Sequence, residues 1–259
     1  ARKPNPGIKT LKALLEYRSG KIEQSLAILI ALDKEAPGSP YVLNLIKSSY
    51  LSLQDWEKLG DLLPVLEKHK VVNPDELLQL SAKISVQGLA QVSAQTGGIS
   101  ALNRLWDAID KKVRCTEEIT LIYMAKLMEF SQHEEAVSVA TSFLKKQWSD
   151  EVVLKSGFID THEPGRLLVQ LENMLKARPN NCTLMLSLGR VSLRNKLWGK
   201  AREYFESCLK FSQSTSLSAE ANAELARLLD HLGEHAQSAS LYGKAMAQLD
   251  HKLPDLPMP

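Results

Sequence analysis

The fold is decided by residues 188–208, Leu188-Gly189-Arg190-Val191-Ser192-Leu193-Arg194-Asn195-Lys196-Leu197-Trp198-Gly199-Lys200-Ala201-Arg202-Glu203-Tyr204-Phe205-Glu206-Ser207-Cys208, read beside residues 225–245. In the first stretch Gly189, Ala201, Phe205 and Cys208 follow one another at offsets of 12, 4 and 3. In the second, Ala226, Ser238, Tyr242 and Ala245 repeat those offsets, each matched pair lying 37 residues apart. Steps of three and four place residues on one face of a helix. An offset of 12 across Asn195 or Gly233 carries the chain from one helix, through a turn, into a second. Small residues at Gly189, Ala201 and Cys208 let the two helices approach closely, and the aromatic Phe205 or Tyr242 fills the gap toward the next pair.

A recurring helical hairpin with this order of small and aromatic positions is the tetratricopeptide pattern, whose usual period is about 34 residues. Here the run Ser212-Gln213-Ser214-Thr215-Ser216 stretches the period, an insertion that helical arrays tolerate. Weaker copies lie upstream. Ala13, Gly20, Ser25, Leu29 and Pro37 fit one, Tyr50, Asp55-Trp56 and Leu63 fit another loosely, and Met124-Ala125, Ala136, Ala140 and Phe143 fit a third. Residues 165–179 read as the second helix of a fourth, with a degenerate first helix near Val152 to Phe158. Between Ile84 and Lys112 the repeat is lost. Ser39-Pro40 reads as a capping hydroxyl before a proline, Asn73-Pro74-Asp75-Glu76 as an N-cap with a capping-box glutamate, and Thr116-Glu117-Glu118 as a third helix start. Alternating strand-like runs and Asn-Gly or Asp-Gly hairpin turns are absent. The expected fold is therefore all-α, a right-handed superhelical array of tetratricopeptide-like hairpins, or α-solenoid. Residues 1–112 are expected to form divergent hairpins continuous with the array, residues 113–250 the repeats proper, and residues 251–259, rich in proline, a flexible tail.

Composition narrows the function. The 259 residues are 44% hydrophobic and 24% charged, ordinary for a folded chain and far from the disordered range. Three cysteines cannot form a disulfide framework. The longest apolar run, Leu26 to Leu32, falls well short of the roughly 20 residues a spanning helix needs. The chain opens Ala1-Arg2-Lys3-Pro4 with neither Met nor the apolar core of a signal peptide, which reads as a lost leader or an excised fragment. Nucleophile-elbow, phosphate-loop, zincin and Cys-x-x-Cys motifs are missing, so no enzyme activity, catalytic residue or metal site is expected.

Residues 188–202 also resemble the signature of HemY-type proteins, bacterial inner-membrane tetratricopeptide proteins linked to haem biosynthesis and distinct from the oxidase that shares the name. Lys146-Gln147-Trp148, Asp150-Glu151, Gln54-Asp55-Trp56 and Leu225-Ala226-Arg227-Leu228-Leu229 are similar to family positions too. The resemblance spans about residues 8–250 and is strongest from about 120 onward. It implies two transmembrane helices ahead of the repeats, so that this chain is the soluble C-terminal part of a protein held at the cytoplasmic face of the inner membrane, touching the membrane only through that anchor. It further implies a scaffold or regulator late in porphyrin and haem synthesis, with haem-pathway enzymes as protein partners and no established catalytic residue.

Charge supplies the candidate site. The formal total is +2, yet residues 176–210 hold eight basic residues against Glu203 and Glu206, a local +6. Arg190 and Arg194 share a helix face, and Arg227 occupies the position of Arg190 one repeat later. In such arrays the first helix of each hairpin lines the concave surface, so these three arginines read as a partner-binding groove that grips carboxylates. A second reading pairs them with nearby acids such as Glu224. Without interleaved aromatics the basic segment does not read as a nucleic-acid surface. Direct haem or porphyrin binding is the alternative function, needing an apolar slot, His231 as ligand and arginines for the propionates. His231 and His235 are separated by the Gly233 turn and read as turn residues that share no face. Cys208 reads as buried core, Cys115 and Cys182 as unreactive thiols near helix starts. Trp56 and Trp198 read either as clamps of a hairpin turn or as partner hot spots.

Overall fold

The computed structural model describes residues 6–250, and among these it contains fifteen helices and no strand. The expected tail, residues 251–259, lies outside the described residues. Two compact units part between Ile122 and Tyr123, so the division falls inside a helix.

The first unit runs through α1 (Pro6–Arg18), α2 (Ile22–Glu35), α3 (Pro40–Leu53), α4 (Trp56–Lys68), α5 (Pro74–Gln91), α6 (Gly98–Ala108), α7 (Lys111–Arg114) and the start of α8 (Glu117–Glu129). Each of the first four helices packs on the next. The α1–α2 hairpin turns at Gly20, whose φ of 80° suits a residue without Cβ. Ala13, Ser25 and Leu29 are fully buried across it, with Leu32 continuing the 12, 4, 3 spacing. The buried Ser25 hydroxyl donates to the Ala13 carbonyl at 2.7 Å, so the small residue both permits the approach and satisfies its own polar group. Leu29, Leu43, Leu59 and Leu66 centre the core of this unit, and each fully buried leucine contributes roughly 1.5–3 kcal/mol.

Asn73 caps α5 by accepting from the Glu76 N–H at 2.8 Å, with Pro74 in the first turn. Ser39 departs from expectation: it stands at the N-cap of α3 before Pro40, but its hydroxyl makes no capping bond. Its carbonyl still accepts from Leu43 N–H, so the helix starts on backbone bonding and proline geometry alone. The repeat is lost where α5 runs on through Ile84 to Gln91 and α7 is only four residues long.

The second unit comprises the remainder of α8, then α9 (His133–Leu144), α10 (Asp150–Ser156), α11 (Pro164–Ala177), α12 (Cys182–Arg194), α13 (Trp198–Phe211), α14 (Thr215–His231) and α15 (His235–Asp250). Met124, Ala136, Ala140 and Phe143 are buried at offsets of 12, 4 and 3. The degenerate first helix expected near Val152 to Phe158 is α10, seven residues long. At the centre lies α12, which touches α10, α11, α13 and α14 and is buried at every residue from Thr183 to Ser192. Leu184, Leu188 and Val191 pack with Val153, Leu167 and Leu171. On the other side Met185 and Leu186 join Ala201, Phe205, Cys208 and Leu225.

Gly189 is the contact point of the α12–α13 hairpin, because a Cβ there would lie only 2.3 Å from Phe205 Cε1. Ala201, Phe205, Cys208 and Ala226 are fully buried, and Ser238 and Ala245 nearly so. Tyr242 differs from its counterpart Phe205: it is 41% exposed, since no described helix follows α15 to cover it. The Ser212–Ser216 insertion is partly consumed in starting α14, where the Ser214 hydroxyl accepts from the Leu217 N–H.

Candidate functional site

Three segments of the second unit meet at one cleft: the turn after α10, the C-terminal half of α12, and the middle of α14. α10 and α12 come together because Gly157 has no side chain. A Cβ at Gly157 would sit 3.0 Å from Ser187 Cα, and the Ser187 hydroxyl donates to the Val153 carbonyl at 2.9 Å. Arg194 secures the end of α10: Nη1 donates to the Gly157 carbonyl at 2.7 Å and Nη2 to the Phe158 carbonyl at 3.0 Å. A guanidinium at these carbonyls also meets the negative end of the helix dipole. Asp160 stands 3.6 Å from Arg194 Nε. Burial draws the Arg194 pKa below the usual arginine value, leaving it cationic at physiological pH.

The α10 turn delivers the Phe158 ring over Arg190, with the guanidinium carbon 4.1 Å from the ring centroid. Arg190 is buried, its side chain 7% exposed. Nη2 donates to Glu220 at 2.7 Å and Nε to Glu224 at 3.2 Å, while Nη1 has no hydrogen-bond acceptor. Glu224 is shared, since its other oxygen accepts from Arg227 Nη2 at 2.5 Å. Arg227 itself is 59% exposed. Arg190, Arg194 and Arg227 therefore line one cleft of about 410 Å³ with Phe158 and Glu224, but in different states. Arg190 is enclosed by ring and carboxylates, Arg194 is spent on backbone carbonyls, and Arg227 faces solvent.

Leu193 and Arg227 continue into a second compartment of about 450 Å³, walled by Trp198, Leu228, His231 and Leu232. Its lining is mostly apolar, and Phe158, Trp198 and Leu232 are each close to half exposed. Trp198 thus stands at the hairpin turn with an accessible face. Trp56 packs on the core of the first unit, with Lys83 Nζ 5.6 Å from its ring centre. His231 ends α14 and lines the apolar compartment, whereas His235 begins α15 and pairs with Asp230 at 2.8 Å. Gly233, at φ 83°, turns the chain between them. Among the described residues no group of three or more His, Cys, Asp or Glu is placed to hold a metal ion. Cys208 is buried, which pushes its thiol pKa up to about 12, and burial also raises that of Cys182.

Sequence reasoning missed Phe158, Leu232 and Glu220. Phe158 follows a degenerate helix with no local sign of an arginine beneath its ring. Glu220 and Glu224 are one helical turn apart on α14, a spacing that pairs them with a cation on a neighbouring helix, and this signal was readable.

No family model matches the chain. In sequence it is similar to Protein HemY of Escherichia coli (strain K12), 24% identical over 205 residues that cover 79% of this chain and 50% of the relative. It is also 23% identical over 240 residues to Anaphase-promoting complex subunit 3 of Schizosaccharomyces pombe, covering 82% of this chain and 36% of that protein. Among solved structures, the C-terminal part of a TPR repeat-containing protein from Cytophaga hutchinsonii aligns with a TM-score of 0.52 at 13% identity, covering 92% of this chain and 95% of that one. The chain spans about half the length of the HemY relatives it matches. Its fold is that of a tetratricopeptide α-solenoid, and its sequence is similar to HemY over most of its length.

Proposed function

We propose that this chain is a non-enzymatic scaffold or regulator that holds protein partners. The observation that carries this reading is the composite cleft, where half-exposed Phe158, Trp198 and Leu232 border a recess of ion-paired arginines. Half-exposed aromatics beside an arginine are the side chains that dominate protein interfaces. The likeness to HemY supports placing the partners among enzymes of late porphyrin and haem synthesis, at the cytoplasmic face of the inner membrane. No described helix is long and apolar enough to cross a membrane. The test offers each purified late haem-pathway enzyme to the immobilised chain. Retention of at least one, and loss of that retention in Trp198→Ala, is expected. Retention of none overturns the pathway assignment.

Direct haem or porphyrin binding is the second reading, favoured by the position of His231 in an apolar compartment next to Arg227. A Soret-band titration decides it: a shift that disappears in His231→Ala supports it, and an unshifted band at micromolar haem overturns it.

A further inference from the structure

We infer that this chain associates with a second copy of itself, head to tail, the outer face of α1 in one copy seating on the outer face of α15 in the next. The inference is independent of what the cleft holds.

On α1, Ile8, Leu11 and Leu15 are 65%, 57% and 59% exposed, more than any other large apolar side chain described. They stand at i, i+3 and i+7, on one face of the helix. Ala13 holds the place of Gly189 and Ala226, each followed 12 residues on by the small residue of the second helix. Ile8 therefore matches Leu184 and Ala221, and Leu15 matches Val191 and Leu228. All four counterparts are buried. Leu184 and Val191 share a cluster with Leu167 and Leu171 of α11, and Ala221 and Leu228 share one with Phe205 and Leu209 of α13. In both cases the neighbour is the second helix of the preceding hairpin. The stripe on α1 is the same docking face with no described helix against it.

α15 presents the other half of that contact. Tyr242 and Met246 lie 37 residues after Phe205 and Leu209, the side chains through which α13 receives α14. They are 41% and 55% exposed, and a Cβ on Gly243 beside them would meet nothing within 4 Å. Seating α1 of one copy on α15 of another thus repeats the packing of α14 on α13 that the chain already contains. Lys12 is a departure, standing where Leu188 and Leu225 are buried. Its stem can lie along the apolar row with the ammonium at the rim, which makes the contact weaker than its counterparts within the chain. The contact joins unlike faces and is therefore heterologous.

The experiment is sedimentation equilibrium of the whole chain from about 5 µM to about 500 µM, which spans the dissociation constants of a weak contact. The mean mass is expected to rise from that of one chain to at least about twice that value. Leu11→Glu with Leu15→Glu blocks α1, and Tyr242→Glu with Met246→Glu blocks α15. All four side chains are at least 41% exposed, so thermal melts of both variants should match wild type. Each variant alone should keep the mass of a single chain. Their equal mixture holds one intact face of each kind and should form a species of two chains and nothing larger. A mass independent of concentration overturns the inference and leaves both faces to helices from elsewhere. Self-association of either variant alone overturns it in favour of like faces pairing. Failure of the mixture to associate overturns the match of α1 with α15.

Discussion

At the scale of single residues, the most informative contact is Gly189 against Phe205. The glycine has ordinary helical backbone, so its requirement is space: a Cβ would stand 2.3 Å from Phe205 Cε1. Gly189→Leu is expected to destabilise the chain by roughly 1–3 kcal/mol through overpacking, read from urea unfolding. If the clash is with Phe205, the penalty should shrink in a Phe205→Ala background, although Phe205→Ala alone costs about 3–5 kcal/mol. Additive penalties would show that Gly189 is small for another reason. This position was legible in sequence because the offset of 12 recurs, from Ala13 to Ser25, Met124 to Ala136 and Ala226 to Ser238. Arg190 was only half legible. Its periodicity assigns it to the cleft, but burial against Glu220 and Glu224 makes it part of the core. Truncating one partner of such a pair costs about 3–5 kcal/mol, so binding is better probed at Arg227.

At the scale of elements, hairpins were legible from short-range spacing, while ties between non-adjacent helices were not. Glu134 in the first turn of α9 is an example. It accepts from the Thr161 hydroxyl at 2.8 Å and from the His162 N–H at 2.8 Å, fixing the loop that leads into α11. Neither partner is near it in sequence, and a glutamate in a first helical turn reads simply as a dipole effect. The His162 N–H bond first, then the Thr161 hydroxyl, hold its pKa below the ordinary glutamate value of 4.5. A carboxylate with a lowered folded-state pKa stabilises the fold fully above its unfolded value, and the benefit is lost as pH falls through the folded one. Wild type should therefore exceed Glu134→Gln in stability at neutral pH. The gap is expected to close only as pH drops below about 4.5. Denaturant midpoints of both proteins across that range give the check, and a gap that persists undiminished at strongly acid pH would mean that the Glu134 charge is not what ties α9 to the loop.

At the scale of the whole molecule, the decisive quantity is where charge resides in space. Counted along the chain, residues 176–210 carry +6 within a total of +2. In the folded protein, acids from outside that segment are set against it: Glu220 and Glu224 on Arg190, Glu172 on Lys200 and Glu234 on Arg202. Arg178 covers the Trp148 ring at 4.0 Å. A linear count cannot see this, because these carboxylates lie on neighbouring helices rather than at neighbouring positions. Arg190, Arg194, Lys200 and Arg202, half of the basic residues in the run, are thus paired with acids on other elements, and the run is expected to be too far neutralised to bind polyanions. At about 0.15 M salt, where the screening length is about 8 Å, the chain should pass through immobilised heparin or duplex DNA without retention. Glu172→Lys with Glu234→Lys, which frees Lys200, leaves Arg202 only Glu206 and adds two lysines, should bind heparin and release with rising salt. Retention of the wild-type chain above that ionic strength would show that these pairs are open in solution and that the basic run is a surface after all.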